Sequence, residues 1–282
     1  MKRNISAFII CVICFTTAAK AGFPIAAGHW LLAPTYNYYA AKGYWNSSRL
    51  YTPYANNGRF TSNYLGVYGV YGINRNWNFT FNVPFVIQTY TETNLLVSNS
   101  SIGDVTLGFT YFTPERNANN HFSITGSLII PFYQNVPLPS NLSTVTPPFV
   151  GFQSVGAELK LSYAGNAQNF IPGCYYDLSA GVRQYFSTYG PSQLFFDATL
   201  GVNLDEDWQV LGNLSGVSSN SNYTTTTTTD GVNRDYGYFR VRAGVGRRIN
   251  KDMQLFAGIF QDVSGRNIGR GSGFYISAVF HF

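Results

Sequence analysis

Charged residues and cysteines are scarce in this sequence, and each shortage excludes a class of protein. Asp, Glu, Lys and Arg make up 11% of the 282 residues, whereas soluble domains contain about 25%. A chain with so few charges is poorly suited to a surface that faces only water. Cys174 is the only cysteine after residue 21, so an intramolecular disulfide is excluded in that part of the chain.

Long apolar runs are also rare, and the one that exists lies at the start of the chain. Lys2 and Arg3 precede an apolar stretch over residues 5–18, and a small-x-small site follows at residues 19–21. This pattern predicts a secretory signal peptide over residues 1–21, cleaved before Gly22, and therefore an exported protein. No later run reaches 18 apolar residues, which excludes membrane-spanning helices in the mature chain.

A large excess of basic charge is missing from the predicted mature chain. The formal net charge of the whole sequence is +5, but Lys2, Arg3 and Lys20 belong to the first 21 residues, which hold no acidic residue. Their removal leaves a formal charge of +2. Nucleic-acid binding needs a clustered basic face, so nucleic acid is excluded as a partner.

Aromatic residues are abundant, at 17%, and they recur with a period of two. In the segment NWNFTFNVPFVI every second residue from Trp77 onward is apolar, and the residues between them include Asn and Thr. The same alternation recurs in three further segments, residues 104–111, 154–163 and 194–204. Strands of about ten residues with one apolar and one polar face have the length that crosses a bilayer at a tilt.

Tight turns alternate with longer connections along the chain. The segments INRNWNF, LDEDWQV and INKDMQL, which begin at Ile73, Leu204 and Ile249, place Asn or Asp at positions that favour a reverse turn. Longer polar connections are expected over residues 42–57, 89–101, 132–151 and 218–235. Alternating short turns and long loops are typical of an outer-membrane barrel.

These patterns together predict an all-β fold for residues 22–282. We expect a transmembrane antiparallel up-and-down β-barrel of about 12 strands, within a range of 10–14, and an even strand count brings both termini to the periplasm. The strands are expected to start near residues 29, 59, 77, 102, 121, 152, 174, 192, 208, 236, 253 and 273.

The end of the chain predicts how the barrel closes and assembles. Every second residue back from the C-terminus is apolar: Phe282, Phe280, Ala278, Ile276 and Phe274. A sheet enters lipid only when its edges are paired, so this strand is expected to pair with the first strand and to turn these residues toward lipid. A terminal Phe with this spacing resembles the assembly signal of bacterial outer-membrane proteins. The resemblance implies the barrel-assembly machinery as a partner, with outer-membrane lipid and lipopolysaccharide around the barrel.

Two segments resemble one family of outer-membrane barrels. The segment SIGDVTLGFTYF, residues 101–112, is similar to the Gly-Asp-hydrophobic-x-Leu-Gly-x-x-Tyr strand of the family assigned to a meta-pathway of phenol degradation. The segment from Trp77 to Phe85 is similar to the strand of that family that ends in Val/Leu-Pro-Tyr/Phe. The resemblance implies a transporter-like barrel for the uptake of small organic compounds, and it implies no catalytic residues.

The positions of the histidines argue against an enzyme. A barrel hydrolase needs a histidine base beside a Ser or Asp at the outer face of the membrane. On the predicted topology His29, His121 and His281 all lie at the periplasmic rim. No Gly-x-Ser-x-Gly or His-Glu-x-x-His motif occurs, so the sequence predicts no catalytic residues, no metal site and no cofactor.

The lumen is therefore the expected place of function. Seven charged side chains are predicted to point inward from the later strands: Glu158, Lys160, Asp177, Arg183, Asp197, Arg240 and Arg242. Unpaired charges are costly in a narrow, low-dielectric tube. These residues either pair as structural salt bridges or line a wet passage that selects solutes by charge. Twelve strands leave room for a small solute but not for a folded protein.

A proline-rich connection is the expected constriction of the lumen. Residues 132–151 contain Pro137, Pro139, Pro147 and Pro148. The fixed φ of proline and its missing N–H oppose an extension of the barrel wall as a hairpin. We expect this loop to fold inward near the lumen charges, and an exposed loop that stands clear of the mouth is the alternative.

Three functions from different classes fit the sequence. The leading one is an outer-membrane channel for the passive passage of small solutes, hydrophobic or aromatic solutes included. A surface-exposed structural or adhesion barrel without transport shares every feature named so far. A barrel hydrolase is the third, and the histidine positions disfavour it.

Overall fold

The computed structural model describes residues 23–114, 120–133, 150–167, 171–188, 190–221 and 234–282, so the predicted signal peptide lies outside the described residues. The described strands are β1 (Trp30–Trp45), β2 (Tyr51–Pro53), β3 (Arg59–Gly72), β4 (Trp77–Glu92), β5 (Leu95–Ile102), β6 (Asp104–Phe112), β7 (Asn120–Pro131), β8 (Gly156–Asn166), β9 (Cys174–Tyr185), β10 (Ser192–Asn203), β11 (Trp208–Asn220), β12 (Gly237–Asn250), β13 (Met253–Arg266) and β14 (Ile268–His281). A short 3-10 helix spans Ala55–Asn57. In the described part of the chain, no helix is both long and apolar enough to cross a membrane.

The strands form one antiparallel sheet that closes on itself. Twelve of them follow one another around the barrel in chain order: β1, β3, β4 and β6 to β14. β14 pairs with β1, from Leu31 opposite His281 to Trp45 opposite Ile268. The predicted 12-strand antiparallel barrel is confirmed, and the C-terminal strand closes it against the first strand, as expected. Every wall strand thus has two neighbours, which leaves no open sheet edge in lipid.

Two extra strands extend the sheet at one end of the barrel, which we call the loop end. β2 pairs with β1, and β5 pairs with β4 from Phe85 opposite Ile102 to Glu92 opposite Leu95. The expectation of a loop over residues 89–101 was therefore wrong. Both strands keep the two-residue alternation of a β-strand in this hairpin. Their outward positions include Thr and Ser, so the run of apolar residues that marks lipid contact is interrupted here.

Short turns with a shared side-chain cap lie at the opposite end, which we call the turn end. Asn74 Oδ1 accepts the backbone N–H groups of Asn76 at 2.9 Å and Trp77 at 3.0 Å. Asp205 and Asn250 accept equivalent bonds in the other two predicted turns. In outer-membrane barrels the short turns face the periplasm, so the turn end is expected to be the periplasmic end.

The two faces of each strand differ in the way that the alternation predicts. On β8 the outward Leu159 and Leu161 are exposed, while Glu158 and Lys160, which alternate with them, are partly covered. Leu200 and Ile276 likewise expose about half of their surface on the outside, 52% and 53%. Such a surface suits lipid and not water.

Aromatic residues form a belt on the outside at the turn end. Trp30 packs against Tyr71 with ring centroids 4.7 Å apart, and Trp77 packs against Tyr111 at 5.0 Å. Trp208 is exposed at the start of β11. Aromatic girdles flank the apolar band of transmembrane barrels, and this belt lies where such a girdle is expected at the turn end.

Two strands start more than two residues away from the predicted position. β8 begins at Gly156 instead of residue 152, because the chain bends at Gln153, which has a positive φ of 53°. β14 begins at Ile268 instead of residue 273. A single residue, Asn267, joins it to β13 with a positive φ of 52°, a conformation that asparagine tolerates.

Candidate functional site: the lumen

The lumen contains one large cavity among the described residues, with a volume of about 1660 Å³. It reaches from Thr52, Asn56 and Asn267 at the loop end to Ala33 and Phe256 toward the turn end. Pockets for small ligands usually enclose about 300–1,000 Å³. The barrel therefore has room for a small solute.

A short segment before β1 occupies the mouth of the barrel at the turn end. Phe23 is buried, and its ring meets the ring of His121 edge-on with centroids 4.7 Å apart. The N–H of Gly28 donates to the carbonyl of Gly72 at 2.8 Å. The segment therefore contacts both β7 and the end of β3 at this mouth, and neither Phe23 nor Gly28 lines the cavity. The sequence analysis missed this feature, although the apolar Phe-Pro-Ile run after residue 22 was a signal for it.

Two of the predicted lumen charges form an ion pair near the loop end. Arg183 donates to Glu158 Oε2 from Nε at 3.0 Å and from one terminal nitrogen at 2.6 Å. Its other terminal nitrogen donates to Gln193 Oε1 at 3.1 Å, and the guanidinium lies 5.3 Å from the ring centroid of Phe195. All three nitrogens have partners, so the side chain is held in one position.

Arg240 pairs with a carboxylate that the sequence analysis missed. Its Nε is 2.7 Å from Asp262 Oδ1, and a terminal nitrogen donates to Oδ2 at 3.2 Å. The Asp262 side chain is fully buried. The guanidinium lies 4.5 Å from the ring centroid of Phe260 and is flanked by Tyr39 and Tyr238. Asp262 follows Phe260 by two positions on the inner face of β13, so the alternation alone was sufficient to find it.

Arg242 is the next inward residue on β12, and it has no such partner. In the described part of the chain it forms no ion pair, and its Nε is buried without a hydrogen-bond acceptor. Asp197 is close enough to interact electrostatically. However, Asp197 Oδ1 accepts from Asn213 Nδ2 at 2.8 Å and from Thr199 Oγ1 at 3.4 Å.

The remaining predicted charges lie on the inner faces of β8 and β9. Lys160 and Asp177 are close enough to interact electrostatically, and Tyr68 on β3 is also within electrostatic range of Asp177. Glu158, Lys160 and Asp177 do not line the cavity, whereas Arg183, Asp197, Arg240 and Arg242 do. Four of the seven predicted residues therefore share one cavity wall, and their roles in selectivity stay a prediction.

A hydrogen-bonded cluster holds the chain on both sides of the proline-rich segment. We call it the Asp104 cluster: Asp104, Tyr133, Gln153 and Tyr185. Tyr133 Oη donates to Asp104 Oδ1 at 2.7 Å, Tyr185 Oη donates to Oδ2 at 3.4 Å, and the N–H of Gln153 donates to Tyr133 Oη at 3.2 Å. Burial and the neighbouring carboxylate raise the pKa of Tyr133, so its hydroxyl stays protonated and donates.

The predicted constriction residues Pro137, Pro139, Pro147 and Pro148 lie outside the described residues. The described chain that follows them does enter the lumen, because Val150, Gly151 and Phe152 line the cavity. The ring of Phe152 packs edge-on against Tyr185 with centroids 4.9 Å apart. The constriction itself stays a prediction.

The two segments that carry the family resemblance meet in space. The N–H of Gly103 donates to the carbonyl of Pro84 at 2.8 Å, at the point where β4 changes its pairing from β6 to β5. The next residue, Asp104, is the centre of the Asp104 cluster. These motif residues therefore shape the loop end of the lumen.

The residues of the predicted assembly signal lie on the last strand and at the C-terminus: Phe274, Ile276, Ala278, Phe280 and Phe282. Phe274, Ile276 and Phe282 are exposed, while Tyr275 and Ser277 between them line the cavity. The backbone N–H of Phe282 donates to the carbonyl oxygen of Trp30 at 3.0 Å, and the carbonyl oxygen of Phe282 accepts from the N–H of Trp30 at 3.1 Å. The geometry agrees with a closing strand, and the role in assembly stays a prediction.

The three histidines all lie at the turn end, where the sequence placed them. His29 Nδ1 is 2.9 Å from the carbonyl oxygen of Phe282, His121 packs on Phe23, and the N–H of His281 donates to the carbonyl of Asp252. Within the described ranges, no group of three or more His, Cys, Asp or Glu residues is arranged to hold a metal ion.

Comparison with known proteins identifies a matching family and solved structures with the same barrel fold. Residues 46–278 match the family described as "Putative MetA-pathway of phenol degradation". A search of curated proteins gave no match. Among solved structures, the COG4313 outer membrane channel from Pseudomonas putida F1 is similar with a TM-score of 0.69 and 13% identity, over 93% of this chain and 99% of that one.

Two autotransporter barrels are similar to a lesser degree. The β domain of the Bordetella autotransporter BrkA has a TM-score of 0.55 and 11% identity, over 90% of this chain and 100% of that one. The translocator domain of the autotransporter NalP from Neisseria meningitidis has a TM-score of 0.50 and 12% identity, over 92% and 90%. At these identities the likeness establishes the barrel fold.

Proposed function

Because the chain belongs to the family described as "Putative MetA-pathway of phenol degradation", we propose that it is an outer-membrane channel for the passive passage of small solutes. The description of the family names phenol degradation, which favours hydrophobic or aromatic solutes among those that fit the lumen. We propose passive passage because the lumen holds a cavity that suits a small solute.

The observation that carries this proposal is the charged cavity inside an apolar barrel. Arg183, Asp197, Arg240 and Arg242 share one cavity of about 1660 Å³. A barrel that only displays loops gains nothing from a buried guanidinium without an ion-pair partner, because such a group lowers the stability of the fold. Rings of aromatic side chains on the same wall suit the apolar part of a solute.

Two neighbouring residues on β10 give a matched test. Thr199 lines the cavity, whereas Leu200 points outward. The wild-type barrel is expected to conduct ions in a planar lipid bilayer and to admit small solutes in a liposome-swelling assay. Thr199→Trp narrows the lumen and is expected to lower the conductance, while Leu200→Trp faces lipid and is expected to leave it unchanged.

The outcome that contradicts the channel is a folded barrel that neither conducts nor swells liposomes. Folding is checked by gel migration, because a closed barrel runs faster unboiled than boiled. That outcome favours the surface-exposed structural barrel, for which the β4–β5 hairpin supplies a projecting surface. Equal conductance of Thr199→Trp and the wild type also contradicts a passage through this cavity.

Export and assembly are part of the same proposal. The chain from the outer membrane is expected to begin at Gly22, which N-terminal sequencing checks. Phe282→Asp is expected to block insertion into the outer membrane while export continues, because the charge enters the strand that closes the barrel. Cell fractionation measures this, and normal insertion of Phe282→Asp argues against the assembly signal.

A further inference from the structure

Three buried polar atoms without hydrogen-bond partners lie on the inner face of β11 and β12: Nε of Arg242, Oδ1 of Asn213 and Oγ of Ser215. We call these residues the Arg242 site. In the strand register Asn213 lies opposite Arg242, and Ser215 lies opposite Arg240. Buried polar groups in folded proteins are nearly always hydrogen-bonded. Of these residues, Arg242 and Asn213 line the cavity, so the guanidinium of Arg242 is a charged group of this site that a solute in the lumen can meet.

The charge at this site favours an anion. The carboxylate of Asp262 is already bound by Arg240. Asp197 interacts electrostatically with Arg242, but its Oδ1 accepts from Asn213 and Thr199. Among the described residues Arg242 forms no ion pair, and it lines the cavity. A guanidinium with free donors matches a carboxylate in both charge and geometry.

The surroundings of Arg242 favour an anion with an aromatic body. Tyr64, Phe256 and Tyr275 line the same cavity, and Tyr64 and Tyr275 are both within electrostatic range of Arg242. The ring of Tyr275 lies flat on the wall because Gly244 and Gly258 leave space for it, and a side chain at either glycine would collide with that ring. An inorganic anion would leave these aromatic faces unused, whereas an aromatic acid packs against them.

We propose that the Arg242 site binds the carboxylate of a small aromatic acid within the lumen. The proposal rests on the proposed channel function and names a solute class for it. The carboxylate accepts hydrogen bonds from Arg242, and the ring of the solute packs against the tyrosines and Phe256. A solute held in this way is selected by charge at one end and by an aromatic surface at the other.

Calorimetric titration of the full barrel in detergent tests the proposal without requiring conduction. The probes are sodium benzoate, benzyl alcohol as the same ring without the charge, and sodium acetate as the charge without the ring. We expect benzoate to bind more tightly than either of the others. Arg242→Gln is expected to weaken benzoate binding about tenfold or more, since a hydrogen bond to a charged group is lost.

The matched control removes the same charge from the outside of the same strand. Arg247 is exposed and stacks over Trp208 at 5.1 Å, and Arg247→Gln is expected to leave benzoate binding unchanged. Arg242→Lys, which keeps the charge, is expected to retain more of the binding than Arg242→Gln. Faster gel migration before boiling verifies that each variant is folded.

Four results overturn the proposal. If the wild type and Arg242→Gln bind benzoate equally well, Arg242 does not bind the carboxylate. If acetate binds as tightly as benzoate, the aromatic ring does not contribute to binding. If benzyl alcohol binds as tightly as benzoate, the negative charge does not contribute. Benzoate binding by a barrel that does not conduct supports the site while it contradicts the channel, and a conducting barrel that does not bind benzoate does the reverse.

Discussion

The Asp104 cluster and the Arg242 site are two polar regions of one lumen, and they differ in whether their polar atoms have hydrogen-bond partners. In the Asp104 cluster both carboxylate oxygens of Asp104 accept hydrogen bonds, and Tyr133 both donates and accepts. In the Arg242 site three buried polar atoms have no partner. The hydrogen bonds of the first region hold the chain in place around Tyr133 and Gln153. The second region places a guanidinium that has no ion-pair partner among the described residues on the wall of the lumen cavity.

The difference separates structural polar groups from functional ones. A buried polar group that is fully bonded resists change, because removal of one partner leaves the others unmet. A buried group that is already unmet loses nothing within the protein when it is replaced. The comparison therefore predicts opposite effects on stability for substitutions that all remove one polar side chain from the lumen.

The largest loss of stability is expected for Asp262→Ala. This substitution leaves the Arg240 guanidinium buried without its carboxylate, and breaking a buried ion pair in this way costs about 3–5 kcal/mol. The free energy of unfolding, measured by urea titration of the barrel folded into lipid vesicles, is expected to fall by that amount.

An exposed carboxylate on the same strand pair is the control for Asp262→Ala. Asp252 lies exposed in the turn between β12 and β13, and Asp252→Ala is expected to change the free energy of unfolding by less than about 0.5 kcal/mol. Similar losses in the two variants contradict the special position of Asp262.

An intermediate loss is expected for Asp104→Ala. The hydroxyls of Tyr133 and Tyr185 lose their acceptor, and buried donors without a partner cost about 1–3 kcal/mol. Tyr133→Phe removes only one donor and is expected to cost about 0.5–1.5 kcal/mol in the same urea titration. If Tyr133→Phe proves more costly than Asp104→Ala, the carboxylate is not the centre of the cluster.

The fold was largely predictable because lipid imposes one rule on every strand. A side chain that points outward must be apolar, whereas the residues before and after it in the strand point inward and need not be. The resulting two-residue period predicted that β4 starts at Trp77 and β10 at residue 192, and the structure confirms both. The rule stops at the edge of the membrane. The β4–β5 hairpin continues beyond the lipid without an apolar face, and the sequence analysis therefore mistook it for a loop.

The site was predictable in part, for a different physical reason. Alternation identifies which charges face inward, but it says nothing about the register between strands. Whether Arg240 or Arg242 finds a carboxylate depends on the irregularity after Phe239, which places Arg240 opposite Asp262. Asp262 shares the inner face of β13 with Phe256, Gly258 and Phe260, so the alternation predicts that it points inward although not that it pairs with Arg240.

The smallest effect on stability is expected for Arg242→Met, and it distinguishes the two regions most sharply. Methionine fills a volume similar to that of the arginine stem, and it removes a buried nitrogen that has no acceptor. Replacement of a buried charge by an apolar side chain of similar size is often neutral or stabilising. The free energy of unfolding is therefore expected to stay within about 0.5 kcal/mol of the wild type or to rise, while benzoate binding is lost. A fall of more than about 1 kcal/mol means that Arg242 has a structural partner comparable with those of Asp104, and the contrast between the two regions then fails.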